Sequence, residues 1–236
     1  MANLQDKTVP ISYEKAAELI SNLKDLKGHP VVDKNAGGTF EAEKIIDWIF
    51  QDTFSGLMCW YCLDGADFFI AIEPCFNHTY DENYMKDKRP AQAELLIPKN
   101  KIKENLFADG DLSTKLSSYT HDVSGKQETA PNYKVSCWVE EYINSGNCVS
   151  PFSYFIDCEN SIKVLKDFIE KKGPKNIRYF FSYDLKHGNF PLRVILAPVN
   201  DSGQNIKKLA GKDNAQEDVL QYSWPPKTDE DTSGDQ

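Results

Sequence analysis

The sequence predicts an α+β fold with mainly antiparallel sheet and helices packed against one side of it. Three observations predict this. Apolar residues recur at helical spacing in some segments and as short β-branched and aromatic runs in others. One pair of such runs is joined by Asp64-Gly65, a strong hairpin turn. The order helix, helix, strand, strand, strand then occurs twice along the chain.

Taken in order, Ser12 is placed to cap a first helix, carried by Ala16, Leu19, Ile20, Leu23 and Leu26 and ended by Gly28 and Pro30. A second helix follows the Gly37-Gly38-Thr39 break, with Ile45, Ile46, Trp48, Ile49 and Phe50 giving it a wide apolar arc. Residues 57–63 and 68–72 are apolar on both faces and read as central strands of a hairpin. Residues 93–97 form a short third strand ended by Pro98. The polar stretch 104–131 reads as a linker, with one weak helix around Leu112, Leu116 and Tyr119. Beyond it, Val135, Trp138, Val139, Tyr142 and Ile143 mark a helix closed by Gly146. Asn160 is placed to cap another, through Ile162, Leu165, Phe168 and Ile169. Residues 177–183 and 192–197 form a second hairpin, and 219–224 a last strand. The acidic tail 225–236 lacks apolar residues and is expected to be disordered.

The two series agree in part, with few identities. Asp47, Trp48 and Ile49 recur 120 positions on as Asp167, Phe168 and Ile169, and Leu57, Trp60, Tyr61 and Asp64 as Ile177, Phe180, Phe181 and Asp184. After a longer second hairpin loop the offset becomes 124. It pairs Ile70, Ile72 and Pro74 with Val194, Leu196 and Pro198, and Ala91-Gln92 with Ala215-Gln216. The expected organisation is a first repeat unit at 1–103, a linker at 104–131, a second unit at 132–224 and a tail at 225–236. Each unit has a core that is marginal alone, so the two should pack together about a groove.

Composition narrows the function. The formal net charge of −9 disfavours phosphate backbones and anionic lipid heads as partners. No run approaches the roughly 20 apolar residues of a membrane span. The N-terminal residues lack a signal-peptide pattern, and the six cysteines read as thiols, so a cytoplasmic location is expected.

The sharpest chemical pattern is Cys59-x2-Cys62-x12-Cys75-x2-His78, the spacing of a Cys3His zinc site. Against it, Cys59 and Cys62 lie three apart on one strand and so point to opposite faces. Cys59 should also lie across from about Ala71, some 13 Å along the strand from Cys75 at 3.3 Å per residue. The second series has Tyr179, Ser182, Val199 and Ser202 at these positions. Buried structural thiols are therefore the expected reading, with zinc as an alternative and no other cofactor. A redox role for Cys59 and Cys62 lacks the helix N-terminus that would activate a thiol.

Gly37-Gly38-Thr39 has no Lys-Ser/Thr pair and reads as a loop and cap, not a phosphate cradle. The basic residues Lys86, Lys88, Arg89, Lys99, Lys101 and Lys103 read as a solvated sheet edge. Tyr222 and Trp224 are candidate partner anchors, with core burial as the competing reading. The four histidines, His29, His78, His121 and His187, fall in loops with no recognisable catalytic partner. These observations favour a non-catalytic binding or assembly protein that recognises a protein partner or a small ligand near the groove between the repeats. The alternative is a hydrolase with a scattered active site.

Overall fold

The computed structural model describes residues 10–26, 28–29, 31, 35–77, 89–103, 106, 112–148, 150–156, 161–185, 192–206 and 219–221. Two antiparallel sheets stack face to face with helices on their outer sides, a mixed helix and sheet architecture as the sequence predicts. The strands are β1 (Pro10–Ile11), β2 (Gly37–Glu41), β3 (Phe54–Asp64), β4 (Asp67–Phe76), β5 (Glu94–Ile97), β6 (Asn100–Ile102), β7 (Glu128–Pro131), β8 (Phe152–Ile156), β9 (Asn176–Tyr183), β10 (Leu192–Val199) and β11 (Val219–Gln221). The helices are α1 (Tyr13–Ser21), α2 (Ala42–Ile49), α3 (Leu112–Ser118), α4 (Asn132–Asn144) and α5 (Ser161–Lys172).

The first sheet has the order β1-β11-β10-β9-β2-β6 and the second β7-β5-β4-β3-β8. Ser12 caps α1 by accepting the Lys15 N–H at 3.2 Å. Asp64 pairs with Asp67, leaving Gly65-Ala66 as a two-residue turn with Gly65 at φ 58. Such turns take glycine at the first central position because its φ is positive. Gly146, at φ 77, follows the end of α4 as a helix-ending glycine should.

The inner faces of the sheets meet in one aromatic core. Leu57, Cys59, Tyr61, Phe68 and Ile70 of the second sheet join Phe40, Tyr179, Phe181 and Val194 of the first. Phe68 and Phe181 lie 4.9 Å apart between ring centres. Tyr61 crosses the layer. Its hydroxyl lies 3.1 Å from the Leu192 carbonyl, to which it donates, and 2.9 Å from Ser153 Oγ. At one end, buried His29 closes the core against Phe68 and Tyr142. Its Nδ1 accepts the Val31 N–H, so Nε2 carries the proton and donates to the Tyr142 hydroxyl at 3.0 Å. The expected groove between the halves therefore coincides with a filled layer.

The outer faces are covered separately. Val135, Trp138 and Val139 of α4 cover Met58, Trp60, Cys62 and Phe69 of the second sheet. Helix α1 covers β9 of the first sheet and carries α3 beside it. Helix α2 runs from β2 in the first sheet to β3 in the second, α5 from β8 in the second to β9 in the first, and the two helices touch.

Two differences from the sequence expectation stand out. Gly37–Glu41 is a strand, not a loop. It pairs with β9 so closely that a Cβ at Gly37 would lie 2.0 Å from the Tyr179 carbonyl oxygen. The stretch 104–131 holds the expected helix, α3, but ends in β7, a strand that pairs with β5, where only a linker was expected. The series β1-α1-β2-α2-β3-β4-β5 and β7-α4-β8-α5-β9-β10-β11 thus share the order strand, helix, strand, helix, strand, strand, strand, with β6 and α3 lying between them.

Candidate functional site

The site is built on Arg178, a fully buried residue near the start of β9. Its side chain shares the outer face of the first sheet with Phe180, both packing on Tyr119, while Tyr179 and Phe181 face the core. A buried guanidinium must have its N–H groups satisfied. Here Nη1 donates to Asn205 Oδ1 at 2.6 Å, and Nη2 donates to the carbonyls of Gly203 at 2.9 Å and His121 at 3.3 Å. The Tyr119 ring lies 4.9 Å away, within cation–π range.

Arg178 thereby clamps together two loops, residues 119–125 and 200–205. Asn205 carries the tie outward: its N–H bonds the Tyr119 carbonyl and its Nδ2 the Leu116 carbonyl. Gly203, at φ 79, approaches the first loop so closely that a Cβ would fall 2.2 Å from His121 O. Each loop is also folded on itself. Asn200 Oδ1 accepts from Ser202 N, Ser202 Oγ and Gln204 N. Asp122 accepts from Ser124 N at 2.8 Å and Ser124 Oγ at 2.6 Å, bonds that hold its carboxyl below the usual carboxylate range. Asn100 donates to the carbonyls of Asp122 and Ser124 from below.

Between the loops lies an open cavity of about 510 Å³ lined by residues 120–124 with Asp201 and Ser202. Its rim offers two carboxylates, the hydroxyls of Thr120, Ser124 and Ser202, and the His121 ring, stacked on Tyr119. Such a rim can accept hydrogen bonds from, and attract, a cationic or hydroxyl-bearing group.

A second buried charge lies on the outer face of the other sheet. Glu73 accepts from Trp60 Nε1 at 2.7 Å, from Gln92 N at 2.7 Å and from Ala91 N at 3.0 Å. Burial pushes its carboxyl up to about 7, while these three donors pull the other way. Asn132, opening α4, donates to the carbonyls of Pro90 and Gln92 in the same loop.

The three cysteines of the candidate zinc pattern do not come together. Cys59 pairs with Ile72 and faces the inner core, while Cys62 and Cys75 face α4. Cys62 pairs with Phe69, and Cys75 lies six residues beyond it, roughly 20 Å along the strand. Burial raises the Cys59 and Cys62 thiols far above their ordinary range. Among the described residues no group of three or more His, Cys, Asp and Glu could hold a metal ion. His78, Tyr222 and Trp224 lie outside the described residues.

Sequence reading missed Arg178 and Glu73 because each sits inside an apolar strand run, beside Ile177 and Ile72. A lone charge within a doubly buried strand was the available signal. No helix of the described residues is long and apolar enough to cross a membrane. A scan of protein-family models matches none, and searches of curated proteins and of solved structures find no similar protein.

Proposed function

We propose that this chain is a non-catalytic binding protein whose recognition surface is the pair of loops 119–125 and 200–205, and that it takes a cationic segment of a protein partner. The Arg178 clamp carries this reading. A buried guanidinium in the centre of a sheet fixes two surface loops to each other, and loops fixed in advance lose little entropy on binding. The acidic rim, Asp122 and Asp201, and the overall charge of −9 would steer a basic partner toward it. The test is capture of partners from native lysate by the intact chain and by its Asp122→Asn/Asp201→Asn variant. Specific capture that the double variant loses at least tenfold supports the reading, and equal capture by both overturns it.

We also infer that the two halves descend from one duplicated unit. The order of elements supports this, and so does register: Leu57 pairs with Pro74 as Ile177 pairs with Pro198, matching the offsets of 120 and 124. The test is an experimental structure in which residues 37–76 and 152–199 superpose helix on helix and strand on strand. A different placement of α2 and α5 against their hairpins would count against it.

A further inference from the structure

We infer that the partner each half of this chain is built to bind is the other half, so that the two are one obligate folding unit and not two domains on a linker. This stands on strand pairing alone and holds whether or not the halves are copies of each other.

With β1–β6 taken as the first half and β7–β11 as the second, the pairing crosses between the halves on one side of each hairpin and again at one far edge of each sheet. Strand β8 of the second half completes the second sheet beside β3, with Gly56 to Trp60 opposite Ile156 to Phe152. Strand β2 of the first half completes the first sheet beside β9, with Gly37 to Glu41 opposite Phe180 to Asn176. The far edges are exchanged too: β7 pairs with β5, and β1 with β11.

Each exchanged pair of strands is joined by a helix. The segment β1–α1–β2 grips the two edges of β11-β10-β9 and lays α1 over the face between them. The segment β7–α4–β8 does the same to β5-β4-β3, with Trp138 against Phe69 at 5.2 Å. Deprived of its counterpart, residues 1–103 would leave the β3 edge unpaired and uncover Met58, Trp60 and Phe69. Residues 132–224 would leave β9 unpaired and uncover the outer face of the first sheet. Unpaired backbone and bare aromatic surface of this extent are incompatible with a small independent domain.

The connection between the halves is then dispensable once the chain has folded. The experiment places a specific protease site between Gly125 and Lys126, both exposed, in the full chain and cleaves it under native conditions. The expected result is a nicked protein that elutes as one species with the intact chain and unfolds in a single transition. Separation of the pieces in native buffer, or two transitions, would overturn the inference. Should the inserted site prevent folding, amide exchange on the unaltered chain decides. Protection of β8 must be lost together with that of β3 and β4, and protection of β2 together with that of β9 and β10. Loss of all first-half protection while the second half stays protected would equally overturn it.

Discussion

Glu73 and Arg178 stand on opposite members of corresponding cross-strand pairs: Glu73 faces Met58 across β3–β4, and Arg178 faces Ala197 across β9–β10. Each points away from the inner core and pins the loop that follows the hairpin. The carboxylate does so through backbone N–H groups and the guanidinium through backbone carbonyls. One architectural task is met in the two sheets by charges of opposite sign, so either can be removed and its loop followed separately.

Arg178→Met keeps the aliphatic stem and removes the N–H fork. The carbonyls of Gly203 and His121 and the Asn205 side chain then lose a charged donor, at a cost of about 3–5 kcal/mol in urea unfolding at pH 7. Loops 119–125 and 200–205 should lose amide protection before the sheets do. Arg178→Lys should not rescue, because a point charge cannot reach acceptors spread around a planar fork. Full protection of Gly203 in either variant would show that the clamp is not what holds the loops.

Stability should depend on pH in opposite senses through His29 and Glu73. Burial lowers His29 from 6.5 to about 4, so the unfolded chain takes up a proton that the folded chain refuses. Its contribution is complete above pH 6.5 and is lost as pH falls toward 4. Burial raises Glu73 from 4.5 to about 7, so the folded chain holds the extra proton. That contribution is complete below pH 4.5 and is lost as pH rises through 7. Each slope approaches 1.4 kcal/mol per pH unit and each spans about 3 kcal/mol in total. Relative to wild type, His29→Gln should therefore lose stability as pH rises from 4.5 to 6.5, and Glu73→Gln should gain it. Parallel curves for both variants would refute the assignment.

What the sequence carried and what it did not divides along the same line as the strand exchange. The β3–β4 hairpin was legible because its turn is local, although the central pair is Gly65-Ala66 where Asp64-Gly65 was expected, and the register shifts with it, Cys59 facing Ile72 and not Ala71. Helices α1 and α4 were legible from their own apolar spacing. Strands β2, β7 and β8 were not, because each takes a pairing partner from the other half of the chain. Gly37-Gly38-Thr39 has poor strand propensity and becomes a strand through tertiary pairing with β9. The Arg178 site was hidden because its acceptors are far along the chain, at Gly203, Asn205 and, 57 residues away, His121.

Gly37 and Gly38 should tolerate no side chain, and for reasons of space. At Gly38 a Cβ would meet Asn100 O at 2.7 Å and the Tyr179 ring at 2.7 Å. At Gly37 it would lie 2.0 Å from backbone that is fixed by pairing with β9. Gly38→Ala should cost about 1–3 kcal/mol, the usual range for overpacking. Gly37→Ala should cost more, with loss of soluble protein as the readout. Truncating Tyr179 should relieve Gly38→Ala only in part, since the Asn100 carbonyl remains. Equal stabilities for the two alanine variants in thermal unfolding would contradict the close approach of β2 to β9.

Four of the six cysteines should fall into two classes. Cys137 is exposed on α4, whereas Cys59, Cys62 and Cys75 are buried in strands. Only a thiolate alkylates, and burial disfavours the thiolate as well as blocking access. With iodoacetamide at pH 8, Cys137 should label within minutes, while Cys59, Cys62 and Cys75 label only at the rate of global unfolding. Adding zinc should change none of these rates, because the three thiols lie on opposite faces and far apart along the hairpin and cannot share an ion within about 2.3 Å. Joint protection of Cys59, Cys62 and Cys75 by stoichiometric zinc would require a different register for β3 and β4, and with it a different core.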